Sequence, residues 1–146
     1  HAAMASGWYT KGIELWTGTA AHFLTGTYRI MAVKTGFSYD PDHDFVNDIS
    51  ANEMTGAARK TIGGASVTLS LANNNVVYDA TDPTVYAALN DGTLLGFVIY
   101  RQVGGDDTTP ADDELIWFID VADLVTNGAD VTLAFHATGI GAIAVA

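Results

Sequence analysis

The sequence predicts a mainly β fold, a two-sheet antiparallel β-sandwich of jelly-roll-like type with a short helical segment and an N-terminal arm. Runs of β-branched and aromatic residues alternate with turn formers, chiefly Gly, Asn and Asp. These runs are short, and no long helical segment separates them as a parallel sheet would need. The chain has 146 residues, 49% hydrophobic and 16% charged, which is enough for one folded domain with a buried core.

The chain is interpreted as an N-terminal arm, residues 1–18, followed by one sandwich domain, residues 19–146. No internal repeat or linker divides the second part. Residues 1–6 lack the basic and apolar regions of a signal peptide, and because a histidine precedes Met4, residues 1–3 are interpreted as a cloning remnant. Residues 11–17 are predicted to form one or two helical turns.

Three aromatic residues of the arm, Trp8, Tyr9 and Trp16, are the candidate partner-binding residues. Two interpretations stay open. Their rings either pack under the edge of the chain's own core or dock on a neighbouring subunit, because large aromatic side chains dominate cores and interfaces alike. Under the docking interpretation, deletion of residues 4–18 should leave the isolated fold largely intact.

The first strands are predicted between residues 27 and 79. Residues 27–34 form an apolar run that ends at a Thr-Gly pair, which is typical of a buried strand. In residues 66–72, apolar and hydroxyl side chains alternate, which places one face in the core. Three asparagines then favour a turn into a strand at residues 76–79. Weaker elements complete this half: short strands at residues 52–54 and 59–62, and a turn of helix at residues 45–49.

The second half contains the strongest strand signal, residues 93–103, which follows an Asn-Asp-Gly turn. Its nearly continuous apolar run indicates a central strand covered on both faces. A polar loop, residues 104–113, leads into the returning strand at residues 114–121. Three further strands are predicted: residues 85–89, 130–136 and 141–145.

The charge balance excludes some partners. The formal net charge is −11, from 17 acidic and 6 basic residues, and no run of Lys or Arg could follow a phosphate backbone. We therefore expect neither nucleic-acid binding nor attraction to an anionic membrane. The longest apolar stretches are far shorter than the roughly 20 residues that span a bilayer. Because the chain has no cysteine, disulfides and thiolate metal sites are excluded.

Three acids, Asp40, Asp42 and Asp44, have the alternating spacing of the first oxygen ligands in a calcium loop. The rest of that motif is missing, since Phe45 stands where the loop needs glycine and Ala51 where it needs glutamate. These acids are therefore weak metal candidates, and turn and N-cap roles are favoured. The acids of residues 106–114 are expected to be solvated.

No catalytic residues are predicted. The internal histidines, His22, His43 and His136, lie far apart without ligand-like spacing. Ser66 follows Gly64 and Ala65 but is not followed by the glycine of a nucleophile elbow. Neither a dinucleotide-binding glycine motif nor a phosphate loop occurs. We therefore expect a chain that is not an enzyme and needs no cofactor.

Several stretches carry a resemblance to a known group of proteins. The most specific is the Asp-His-Asp-Phe segment within residues 40–48, followed by Asn52 and Glu53. With the strands at residues 96–100 and 115–120 and the ending at residues 131–140, it resembles a family of small virion structural proteins of tailed bacteriophages. The likeness runs from about residue 11 to the end. Its departures are the long loop of residues 104–114 and the poorly matched residues 57–65.

The resemblance implies a capsid decoration or cement protein that assembles in the bacterial cytoplasm and stabilises the head by bridging capsid subunits. It implies the major capsid protein or another virion protein as partner, and a homo-oligomer, trimer or dimer. Two alternatives stay open. One is a tail, baseplate or fibre component; the other is a carbohydrate-binding sandwich, which a coplanar row of exposed tryptophans would favour.

Overall fold

The computed structural model describes residues 4–18, 22–137 and 139–144, and within these ranges the chain forms eight strands in two antiparallel sheets. The larger sheet has the order β1-β7-β6-β2-β3 and the smaller one β4-β5-β8. The predicted mainly β, two-sheet antiparallel class is confirmed. The strands are β1 (Gly7–Trp8), β2 (Thr27–Lys34), β3 (Lys60–Thr61), β4 (Ser66–Ser70), β5 (Asn75–Asp79), β6 (Thr93–Gln102), β7 (Glu114–Val125) and β8 (Gly141–Ala144).

The helical elements are short. Helix α1 spans Thr10–Gly18, somewhat longer than the predicted turns, and α2 spans His22–Thr25. Two 3-10 helices follow at Val46–Asp48 and Ser50–Asn52, the first of them at the predicted position. Helix α1 packs on β7 so closely that a Cβ added at Gly12 would stand 2.8 Å from the Cα of Ile116. Within the described ranges, no helix is long and apolar enough to cross a bilayer.

The central strands β2 and β6 are buried on both faces, as the continuous apolar run of β6 predicted. One face packs against the smaller sheet, where Tyr78 of β5 joins side chains of the larger sheet: Tyr28, Ile30, Ala32, Phe97, Ile99 and Ile116. The other face is covered by the N-terminal segment and by residues 37–49. Its buried side chains are Tyr9, Met31, Val33, Phe37, Val46, Ile49, Leu95, Val98, Tyr100, Leu115 and Phe118.

Three of the predicted strands are wrong. Within residues 52–54, Asn52 ends a 3-10 helix, and the ladder contact is a single bridge from Glu53 to Val33. Residues 85–89 and 130–136 share a single bridge, between Tyr86 and Val131. The segment of residues 85–89 bends at Ala88, whose φ of 48° lies in the left-handed region and ends the extended backbone.

Strand β7 runs to Val125, beyond its predicted end at residue 121. A register irregularity between Leu94 and Gly96 of β6 lets the pairing resume, so that Leu124 and Val125 lie opposite Leu94 and Thr93. This extension of β7 lines part of the candidate functional site.

Candidate functional site

Two of the predicted partner-binding aromatics can be located: Trp8 is partly buried and Tyr9 is buried. Trp8 pairs with Trp117 in the β1–β7 register, and the two rings meet edge to face with centroids 4.8 Å apart and an interplanar angle of 79°. Tyr9 is completely buried, and its ring contacts Tyr39 at a centroid distance of 5.3 Å. The side chain of Trp16 lies outside the described residues. Tyr9 therefore packs within this chain, and the two described tryptophans form no coplanar row.

The acids of residues 40–48 have turn and capping contacts. The Asp42 amide donates to the Asp40 carboxylate at 3.0 Å, closing a local turn. The amides of Asp44 and Phe45 donate to the Asp48 carboxylate at 3.0 and 2.9 Å, just before the 3-10 helix. Across the described ranges, no group of three or more His, Asp or Glu side chains is arranged to hold a metal ion.

The loop of residues 104–113 is held down by a carboxylate that the sequence suggested would be solvated. Asp107 accepts hydrogen bonds from the Tyr100 hydroxyl at 2.6 Å and the Gln102 amide at 2.9 Å, and Arg59 and Arg29 lie 3.5 and 3.7 Å away. Burial opposes its ionisation, but these hydrogen bonds and guanidinium charges lower the pKa of Asp107. The expectation of a solvated loop is therefore wrong at this residue.

Two neighbours complete this charge network. Arg59 forms a two-pronged pair with Glu53, with both N···O distances at 2.7 Å, and its guanidinium lies over the ring of Tyr100. Asp113 is fully buried, and one of its oxygens accepts the Val103 amide at 2.8 Å. Burial raises the pKa of Asp113. The guanidinium groups of Arg29 and Arg59 both lie near the Asp107 carboxylate, so this network acts as a clamp that holds the loop of residues 104–113 in place.

The feature that looks open to a partner is the far end of β7. Strand β1 has only two residues and pairs with Trp117 and Phe118. Beyond that point, no strand of the described ranges pairs with β7 on this side. The last residues are also apolar and accessible, since Leu124 is 43% and Val125 71% exposed. An unpaired strand edge with exposed apolar side chains is a template for another strand.

A groove runs beside this edge. Its walls are residues 119–124 of β7 and the irregular segment of residues 131–136, and it consists of two cavities of about 330 and 340 Å³ that share Val121 and Leu133. Leu94 and Phe97 close the floor of the second cavity. We call this feature the β7 groove. Its apolar floor and open backbone edge fit an extended segment that places alternate side chains in the two cavities.

The rim of the β7 groove is acidic. One carboxylate oxygen of Asp120 is buried without a hydrogen-bond partner. The backbone amide of Asp120 donates to the Ser6 hydroxyl at 2.8 Å. Burial, followed by the charge of Asp123, raises the pKa of Asp120. The described residues that line the two cavities include no Lys or Arg. A cationic side chain from a partner would therefore supply the positive charge that the Asp120 carboxylate does not find among the lining residues.

Comparison with known proteins adds no relative. The chain matches no protein-family model, and no curated protein or solved structure is significantly similar to it. The likeness to phage virion proteins therefore stays a prediction.

Proposed function

We propose that the chain is a non-enzymatic structural protein of a tailed-phage virion, a decoration or cement protein that attaches to the capsid through the β7 groove. The observation that carries this proposal is the unpaired end of β7, where exposed Leu124 lines an apolar groove. Such an edge provides main-chain hydrogen bonds for affinity and side-chain pockets for specificity. The family likeness supplies the virion setting.

The chemistry of the groove suggests the kind of partner segment. An extended segment of the major capsid protein would add a strand to β7 and insert an apolar side chain beside Leu133. A Lys or Arg on the same segment would face Asp120 and Asp123. Capsids present many copies of such a segment, so modest affinity at each site gives high occupancy when copies are linked.

A carbohydrate-binding sandwich is supported less well. Sugar rings stack on flat aromatic platforms, whereas Trp8 and Trp117 meet edge to face and are both partly buried. A tail or baseplate component would use the same groove on a different partner, so the particle used in the binding assay separates the two virion roles.

The test compares two exposed aliphatic-to-glutamate changes. Leu124→Glu adds charge in the β7 groove, where the side chain is 43% exposed, and Ile13→Glu makes the matched change on α1, where the side chain is 41% exposed. Purified variants are mixed with capsids of the encoding phage that lack the protein, and bound protein is measured after sedimentation. We expect Leu124→Glu to weaken capsid binding at least about tenfold, equivalent to about 1.4 kcal/mol, and Ile13→Glu to bind like wild type.

Both variants should melt like wild type, because both side chains are solvent-exposed. Loss of binding in Ile13→Glu alone would move the contact to the N-terminal segment. Binding of wild type to tails but not to capsids would replace the decoration role with a tail role. Failure to bind either particle would refute the virion proposal.

A further inference from the structure

The smaller sheet is nearly free of charge in a strongly acidic chain. Residues 61–78 contain no acidic or basic side chain, and Asp79 is the single charged residue of β4, β5 and β8. The larger sheet differs, since β2, β6 and β7 all carry charged residues, among them Arg29, Arg101 and Glu114. The residues that give the net charge of −11 therefore lie almost entirely outside the smaller sheet.

Strand β4 is an open edge of this neutral sheet. It pairs with β5 on one side, and no strand of the described ranges lies on the other. Leu69 is 63% and Leu71 79% exposed, and Leu24 of α2, a helix that contacts β4, is 58% exposed. We call these three leucines and the free edge of β4 the β4 patch. Proteins usually protect such an edge with Lys, Pro or a bulge, and β4 has none of them.

The charge distribution selects the occupant of the β4 patch. Two copies of a chain with charge −11 repel each other over most of their surfaces. At the β4 patch they approach without facing charges, and an antiparallel edge pairs with itself about a twofold axis. A basic partner would gain most from the acidic surfaces elsewhere and nothing from this neutral edge.

We propose that two copies of the chain associate through β4, antiparallel and edge to edge, to form a continuous six-stranded sheet from two three-stranded ones. Leu69 and Leu71 of each copy then lose solvent contact, which removes from water two of the three most exposed large apolar side chains among the described residues. This inference goes beyond the proposed function and does not depend on it, because the association requires no capsid.

Salt gives the first test. Ion-pair interfaces weaken as salt rises, whereas a neutral interface between like-charged molecules strengthens because the long-range repulsion is screened. Sedimentation velocity of the purified full chain is recorded from micromolar to millimolar concentration at low and high salt. We expect the weight-average mass to rise toward twice the monomer mass, and to do so at lower protein concentration when salt is high.

Two matched variants place the contact. Leu69→Lys introduces a positive charge into the β4 patch of each copy, and Val125→Lys makes a comparable change at the end of β7, where the side chain is 71% exposed. We expect Leu69→Lys to shift the association constant at least tenfold toward monomer, and Val125→Lys to associate like wild type. Amide exchange of residues 66–70 in wild type should slow as protein concentration rises, and this readout does not depend on any variant folding.

Three results would overturn the inference. A wild type that stays monomeric at millimolar concentration and high salt leaves the edge to a different partner strand. A dimer that Leu69→Lys leaves intact, or one that high salt dissociates, places the contact elsewhere. Because the measurements use the chain alone, they can fail without affecting the capsid assay, and the capsid assay can fail without affecting them.

Discussion

Replacement of Tyr9 distinguishes an N-terminal segment that belongs to the fold from an arm that docks on a partner. The Tyr9 ring is fully buried among side chains of the larger sheet, and its amide donates to the Ile116 carbonyl at 3.0 Å. Its hydroxyl is buried without a hydrogen-bond partner, and burial raises the pKa of Tyr9 well above its usual value. These facts predict opposite effects for two substitutions.

Tyr9→Ala removes a whole buried ring. Truncation of a buried aromatic side chain to alanine typically costs about 3 to 5 kcal/mol, since the lost transfer free energy adds to that of the cavity. Total stabilities are about 5 to 15 kcal/mol, so the variant should be close to unfolding. Tyr9→Phe keeps the ring and removes a hydroxyl that has lost its water, which is worth about 1 to 3 kcal/mol when unsatisfied. We therefore expect Tyr9→Phe to be as stable as wild type or about 1 kcal/mol more stable.

Urea denaturation followed by tryptophan fluorescence measures both free energies of unfolding. With a slope of about 1 to 3 kcal/mol per molar, Tyr9→Ala should lower the midpoint by roughly 2 M. If the Tyr9→Ala midpoint matches that of wild type, residues 4–9 are dispensable for the isolated fold. The arm interpretation and its prediction for deletion of residues 4–18 would then be correct, and the packing argument would be wrong.

Two further predictions concern the helix and the loop clamp. Gly12→Ala should destabilise the chain by about 1 to 3 kcal/mol, although alanine favours helices, because its Cβ would meet the backbone of Ile116. As a control, Gly63→Ala should change stability by less than about 0.5 kcal/mol in the same denaturation assay, because there is open space around the added Cβ. Asp107→Asn should cost about 1 to 3 kcal/mol at neutral pH. The folded pKa of Asp107 is lowered, so its contribution exists above the unfolded pKa of about 3.9 and is lost as pH falls through the folded pKa. Thermal melts from pH 7 to pH 3 should show the gap between wild type and Asp107→Asn closing, and a constant gap would contradict the charge argument.

The elements that the sequence predicts correctly are those whose pattern is local. Alternation in residues 66–70 and the asparagine turn after it specify the β4–β5 hairpin, and the apolar run of β6 specifies a strand with two covered faces. The prediction that the apolar face of residues 66–72 lies in the core holds only for Val67, because Leu69 and Leu71 are exposed. The segment at residues 130–136 has the same alternation and does place Leu133 in the core. It forms no ladder because its backbone partners are scattered: Val131 bonds Tyr86 and the Phe135 amide donates to Asp82.

Local sequence patterns could not predict the candidate site, because it depends on contacts between distant parts of the chain. The end of β7 is unpaired because β1 begins only at Gly7, opposite Phe118, and the preceding Ser6 contacts Asp120 through its hydroxyl and not through a strand ladder. Likewise, the acids of residues 104–113 have the composition of a solvated loop tip. Asp107 is fixed because Arg29 and Arg59 arrive from distant parts of the chain. Long-range partners of this kind leave no signal in spacing or periodicity.

The two open edges belong to different sheets, so occupation of one does not require the other to be vacant. If copies pair through β4, each pair carries two β7 grooves, and the second capsid contact becomes intramolecular. Leu69→Lys should then weaken capsid binding although it lies outside the groove, and Leu124→Glu should weaken it without changing self-association. In the double variant the loss should be smaller than the sum of the two single losses, because the linkage gives little once each groove binds poorly. Strictly additive losses, measured in free energy by capsid sedimentation, would show that the two edges act independently and that pairing contributes nothing to attachment.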